Sequence, residues 1–297
     1  MSKAQPTKKQ HYIPQVCLRG FSQDSVTIYE YNFRKGEAIN QPVSIESVCR
    51  EDYLYEVREN NGEIIYSNYI EDILCEYEGQ FAYYRNQLLR KAHIKENYYN
   101  KPILSKDEKD FWRVYTTLQI MRHPRIIGGM EELLREDFQS HYRDIDIRNL
   151  TIAYCLPFFK KVTEGEPNVF TFFLSVLLTR SLLVGHAESD NLFTSDHGMY
   201  GSGGFGRNEF GFERLWFPIS SNCGLLFYDP EIIDRSNRNR LIPIFEDEVR
   251  ELNKGIAYIA SQMVLSKYPF SKEDIDLIQE ARRERAEDDL NQTVLIN

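Results

Sequence analysis

The 297-residue chain lacks most of the short signatures that announce a chemistry. It has no HExxH pair for zinc, no GxSxG elbow for a serine nucleophile and no Gly-Lys-Ser or Gly-Lys-Thr to grip a nucleotide phosphate. The five cysteines, at 17, 49, 75, 155 and 223, form no CxxC pair. Neither a zinc ribbon nor a disulfide framework is therefore indicated, and a reducing, cytoplasmic setting is expected. No apolar run approaches the roughly 20 residues of a membrane helix, so no membrane partner is expected. The opening MSKAQPTKKQ carries charge with no apolar stretch behind it, which is not the pattern of a signal peptide. Positive charge is not in excess either. The net charge is −9, which argues against a protein that coats nucleic acid, though not against a local basic groove.

Apolar and aromatic material is plentiful, with 42% hydrophobic residues, 19 Tyr and 18 Phe, enough for a large core. There is no internal repeat. VTIYEYN (26–32) reads as a strand by composition. DYLYEV (52–57) and EIIYS (63–67) read as a strand pair turned by Asn60-Asn61-Gly62. From Asn68 to Arg90 the apolar residues keep helical spacing. SKDE (105–108) has the form of a capping box, opening a helix that stops at Pro124. Further helix is expected at about 128–142. The apolar residues 168–184 read as a helix turning into strand near Leu192-Phe193. Two strands, 212–219 and 224–228, are joined at Ser220-Ser221-Asn222. Helices at 246–265 and 272–289 close the chain, the last charged and mostly exposed. The fold class is α+β: short N-terminal strands, a central helical bundle, later antiparallel strands and C-terminal helices. The expected organisation is a flexible basic arm (1–10), one α+β domain (11–265) and a helical extension (266–297).

Helical phase singles out polar residues on apolar faces. At about 100° per residue, Arg122 falls about 20° from Phe111, inside the stripe of Tyr115 and Leu118. Its guanidinium keeps its charge, so it requires a carboxylate, a phosphate or carbonyls. Gln119 lies beside it. Asn253 falls on the apolar face of the late helix, and Glu71 and Glu78, seven apart, share the rim of an earlier one. Each has a structural alternative: a tie between helices, a packing bond, a solvated rim charge. Asp196, in FTSDHG, is either a turn aspartate or part of a site. Together Arg122, Asn253, Asp196 and a glutamate are expected to converge on one polar pocket.

The glycines of GSGGFG (201–206) resemble a phosphate loop in composition only. A strand, not a helix, is expected after them, so no nucleotide cofactor motif is present. His197 and Asp196 with a glutamate offer a divalent-metal alternative. His11, in HYIP, is either an acid–base group or a structural hydrogen-bonder.

The N-terminal HYIPQVCLRGF (11–21) resembles the signature of a mostly bacterial family, number 4238 among the domains of unknown function. Other segments agree in order: IEDILCEYE (70–78) with a paired-glutamate helix, LQIMRHPR (118–125) with a Gln-x-x-Arg-x-Pro segment, FTSD (193–196) with a Thr-Ser-Asp motif. FPIS (217–220) and ELNKGIA (251–257) follow. The resemblance covers roughly residues 11–265 and implies Glu71, Glu78, Gln119, Arg122, Asp196 and Asn253 as positions of interest. It implies no activity, and suggests an association with bacterial defence. The family's usual Ser-Asp-x-Pro is here Ser195-Asp196-His197-Gly198.

Two functions follow as expectations. The first is an enzyme acting on a phosphate-bearing substrate, nuclease-like and of defence or toxin type. Asp196, Glu71, Glu78 and His11 would be catalytic, and Arg122, Gln119, Asn253 and Ser195 would bind substrate. A divalent metal is an option, and RNA, DNA or a nucleotide is the partner, helped by Lys3, Lys8 and Lys9. The second is a non-catalytic sensor or binding protein, with a polar ligand pocket and a protein partner.

Overall fold

In a computed structural model of the chain, the described residues are 6–58, 64–66, 68–94, 98–99, 101–138, 147–156, 169–202, 213–231 and 238–294. The Asn60–Gly62 turn, Lys3, residues 139–142 and Gly203–Gly206 lie outside them. The protein is α+β, as the element order implied. It divides into two compact units: Met1–Pro14, Cys49–Tyr84 and Lys106–Thr179 form the first, and Gln15–Val48, Arg85–Ser105 and Arg180–Asn297 the second.

The first unit is mainly helical. The Tyr69–His93 helix contributes its residues up to Tyr84, followed by the helices Lys106–Met121, Pro124–Phe138, Ile147–Cys155 and Val169–Thr179. Ile70, Leu74 and Phe81 recur at helical spacing and are buried. Phe81 stacks on Tyr115 at 4.6 Å and Tyr84 on Phe111 at 4.2 Å, so aromatic pairs join two helices. Pro124 does end the 106–121 helix, but it also opens the next one, where its missing N–H costs nothing.

Two small ladders complete this unit. Lys9–His11 pairs antiparallel with Arg50–Asp52, and Val57–Arg58 with Ile64–Tyr66. The basic arm is therefore shorter than expected, since Lys9 and Gln10 are already strand. The single strand expected at 52–57 is broken. Tyr53 takes a left-handed φ of 55°, which turns the chain and sends Tyr55 into the interior.

The second unit carries two five-stranded sheets. One has the order Tyr200–Ser202, Arg214–Ser220, Cys223–Tyr228, Ser181–Ala187 and Leu241–Ile244, antiparallel except for the last pair. The other places Met263–Ser266 between Thr27–Asn32 and Thr194–Ser195. The helix-to-strand change expected near Leu192 occurs earlier, at Ser181. The Ser181–Ala187 strand is paired on both sides and four of its seven residues in succession are buried, so it shows no alternation to read. The helix expected over 246–265 likewise stops at Ile259, and residues 263–266 form the strand just described.

The core of this unit joins the Glu246–Ile259 helix (Val249, Ile256, Ala257) to Trp216, Ile244 and Val264. The Lys272–Val294 helix is more than an exposed extension. Leu277, Ile278 and Ala281 are buried in the same core. Its charge pattern hides this narrow apolar strip.

Candidate functional site

In the first unit the network is centred on Arg122, just past the end of its helix. The side chain is 2% exposed, so its charge must be met by protein groups. Nη1 donates to Glu78 Oε1 at 2.9 Å, Nη2 to the His11 carbonyl at 2.6 Å and Nε to the Tyr55 hydroxyl at 3.2 Å. The Tyr55 hydroxyl donates in turn to the Arg122 carbonyl at 3.1 Å. Burial alone works against the guanidinium charge, but Tyr55 and Glu78 raise its pKa above the ordinary range. Tyr55 is itself pushed up to about 12, by burial first. Gln119 is almost fully buried, donates from Nε2 to the Tyr12 carbonyl at 2.6 Å, and keeps an unpartnered Oε1.

Three residues of this network carry no motif. Gln10 is fully buried, donates to Glu56 Oε1 at 2.8 Å and accepts from the Tyr55 N–H at 2.7 Å. Gln10 and Glu56 thus fix the chain on either side of Tyr55, whose hydroxyl holds Arg122. Nothing local in the sequence signals this, because the partners are 45 and 46 residues apart.

Glu71 differs from its neighbours. It is half-buried, and its Oε2 is buried without a hydrogen-bond partner. Burial pushes its carboxyl up to about 7; Arg122 pulls it down, and Glu78 and Glu56 push it further up. A carboxyl raised from 4.5 to about 7 favours the folded state while protonated. That stability is fully present below 4.5 and is lost as pH rises through about 7. After allowance for the partial exposure of Glu71, the loss is about 2 kcal/mol. Urea unfolding of Glu71→Gln between pH 5 and 8 is expected to lack this slope. An unchanged slope would show that the carboxyl titrates normally.

In the second unit the motif residues organise backbone. Asp196 is 1% exposed; its carboxylate accepts from the Ser261 N–H at 3.0 Å and the Gln262 N–H at 2.8 Å. It thereby holds the turn between the Glu246–Ile259 helix and the Met263–Ser266 strand. Burial raises its pKa, and the backbone donors counter it. Asn253 accepts from the Phe193 N–H at 2.8 Å and donates to the Asn191 carbonyl at 2.7 Å. Ser195 is fully buried and accepts from the His197 N–H at 3.2 Å. His197 contacts Ser261 Oγ at 3.0 Å. Gly198 adopts φ 70°, which a proline ring cannot reach. This is the backbone consequence of the departure from Ser-Asp-x-Pro.

The expected site residues thus fall into two sets. His11, Glu71, Glu78, Gln119 and Arg122 belong to the first unit; Ser195, Asp196 and Asn253 belong to the second. Among the described residues, no three His, Cys, Asp or Glu side chains are grouped to hold a metal ion. No helix there is long and apolar enough to cross a membrane.

These features define an α+β protein whose motif residues build two buried polar networks. The chain belongs to the family described as proteins of unknown function, DUF4238, whose model matches residues 9–269. No curated protein matches the chain, and no solved structure does.

Proposed function

We propose that the Glu71–Glu78–Arg122 cluster is the acid–base centre of an enzyme acting on a phosphate-bearing substrate, a nuclease-like effector of bacterial defence or toxin type. The observation that carries this is Glu71: a carboxyl with a pKa of about 7 and an unpartnered oxygen, beside a fixed arginine. A group so tuned exchanges protons at neutral pH. Arg122 acts as a positioning residue, since three protein groups already hold it. Phosphate capture falls to other cations of the same unit. Arg50 is the cross-strand partner of His11, and its buried Nε has no partner. Lys9 lies exposed on the same strand as His11.

The second reading, a non-catalytic binding protein, draws support from the closure of Arg122, Asp196 and Asn253 by protein groups. One experiment separates the two. Wild type and Glu71→Gln are expressed in bacteria, with growth and RNA and DNA integrity followed, and the purified proteins are offered both nucleic acids. The enzyme reading expects cleavage by the wild type and a loss of about 10²-fold or more in Glu71→Gln, with a melt no lower than the wild type's. The rate should titrate near pH 7. Cleavage untouched by the substitution would remove Glu71 from the chemistry, and no cleavage by a folded wild type would leave the binding reading.

A further inference from the structure

In the second unit a cleft of about 480 Å³ opens between the first five-stranded sheet and the Glu246–Ile259 helix. Its walls depend on glycine. Gly224 and Gly185 are cross-strand partners, and a Cβ on Gly224 would lie 2.3 Å from Trp216 Cη2. The indole therefore rests on bare backbone. A Cβ on Gly255, in the facing helix, would lie 2.4 Å from the Tyr200 ring. Tyr200 is the cross-strand partner of Trp216. Glycines on three elements thus seat two neighbouring rings at the cleft, and Leu226, Ile242 and Leu252 extend the apolar wall.

The polar features are few and uncommitted. Trp216 is 3% exposed, yet its Nε1–H has no acceptor. A buried indole N–H ordinarily finds one. Arg214, Asp247 and Glu251 also line the cleft, and among the described residues their side chains make no hydrogen bond or ion pair. Asp247 and Glu251 are four apart and share a helix face. Glu248 is different: it is used by the helix cap, accepting from the Phe245 N–H at 2.9 Å. The Tyr200 hydroxyl feels both signs of charge. After burial, Glu251 raises its pKa and Arg214 lowers it.

We infer that this cleft binds a free α-amino acid with an apolar side chain. Its ammonium group is answered by Glu251 and Asp247, its carboxylate by Arg214, and its side chain by the apolar wall that the Trp216 and Tyr200 rings begin. Simpler ligands leave part of the site unanswered. An apolar amine offers nothing to Arg214, and an apolar acid faces two carboxylates. A hydrocarbon leaves every polar group desolvated and unpaired. The volume lies within the usual range of small-molecule sites.

The test is calorimetric titration of the full chain with L-phenylalanine, L-leucine, 2-phenylethylamine and 3-phenylpropionate. At least one amino acid should bind saturably, and removing either charged group from phenylalanine should weaken binding about tenfold or more. Glu251→Gln should weaken the preference over 3-phenylpropionate, and adding Asp247→Asn should erase it; Arg214→Met should erase the preference over 2-phenylethylamine, each with an unchanged melt. Trp216→Phe should abolish the change in indole fluorescence on binding, leaving Trp112 silent. The inference is overturned if neither amino acid saturates the folded wild type by about 10 mM. Equal affinity for all four ligands, or selectivity that survives these charge substitutions, overturns it too.

Discussion

Arg122→Met should destabilise the protein by about 3–5 kcal/mol, the usual cost of removing one partner from a buried ion pair. The substitution roughly keeps the volume of the side-chain stem, so the loss is electrostatic and not a cavity effect. It takes a donor from the Glu78 carboxylate, the His11 carbonyl and the Tyr55 hydroxyl at once, although that hydroxyl keeps its bond to the residue 122 carbonyl. Glu78 is 24% exposed and can recover some water, so Glu78→Gln should cost less, about 1–2 kcal/mol. Arg122→Lys should restore only part of the loss, because one ammonium cannot reach three partners placed around a planar fork. A second consequence concerns Glu71. Arg122 is the group that holds its carboxyl down, so without it the titration near 7 should move higher. Urea midpoints over a pH series measure both effects. A cost under about 1 kcal/mol would show that the arginine is not the tie described here.

Arg122 was legible because a helix imposes phase. Once Phe111, Tyr115 and Leu118 define a stripe, a charged residue within it must find partners, whatever the tertiary fold. Which partners was not legible. Glu78 lies 44 residues away and Tyr55 67, and no local pattern links them. Tyr55 was hidden further by its neighbour, since the left-handed φ of Tyr53 carries no composition signal in DYLYEV. The strands Ser181–Ala187 and Met263–Ser266 were obscured for a related reason. Both are paired on each side, so they lack the alternation that marks a half-exposed strand. The cleft beside Trp216 was invisible in the sequence. It depends on Gly185, Gly224 and Gly255 meeting two rings, and isolated glycines read as turns or as weak points in an element.

Asp196 supplies the last expected result. Asp196→Ala should cost about 3 kcal/mol, because it removes both acceptors from two backbone N–H groups at one turn. Ser261 and Gln262 have those N–H groups fixed between a helix end and a strand start, so they cannot turn to other acceptors. The Met263–Ser266 strand follows at once, and it pairs with two others. Loosening the turn should therefore show as faster amide exchange along 261–266 before any global unfolding. Asp196→Asn keeps one acceptor and should lose about half as much. The same pair of variants bears on chemistry. If Glu71 moves the proton, Asp196→Asn should retain cleavage wherever it remains folded, while Glu71→Gln does not. Loss of cleavage in a folded Asp196→Asn protein, with normal exchange at 261–266, would instead give Asp196 the catalytic role. Its carboxylate would then have to exchange the Ser261 and Gln262 N–H groups for substrate.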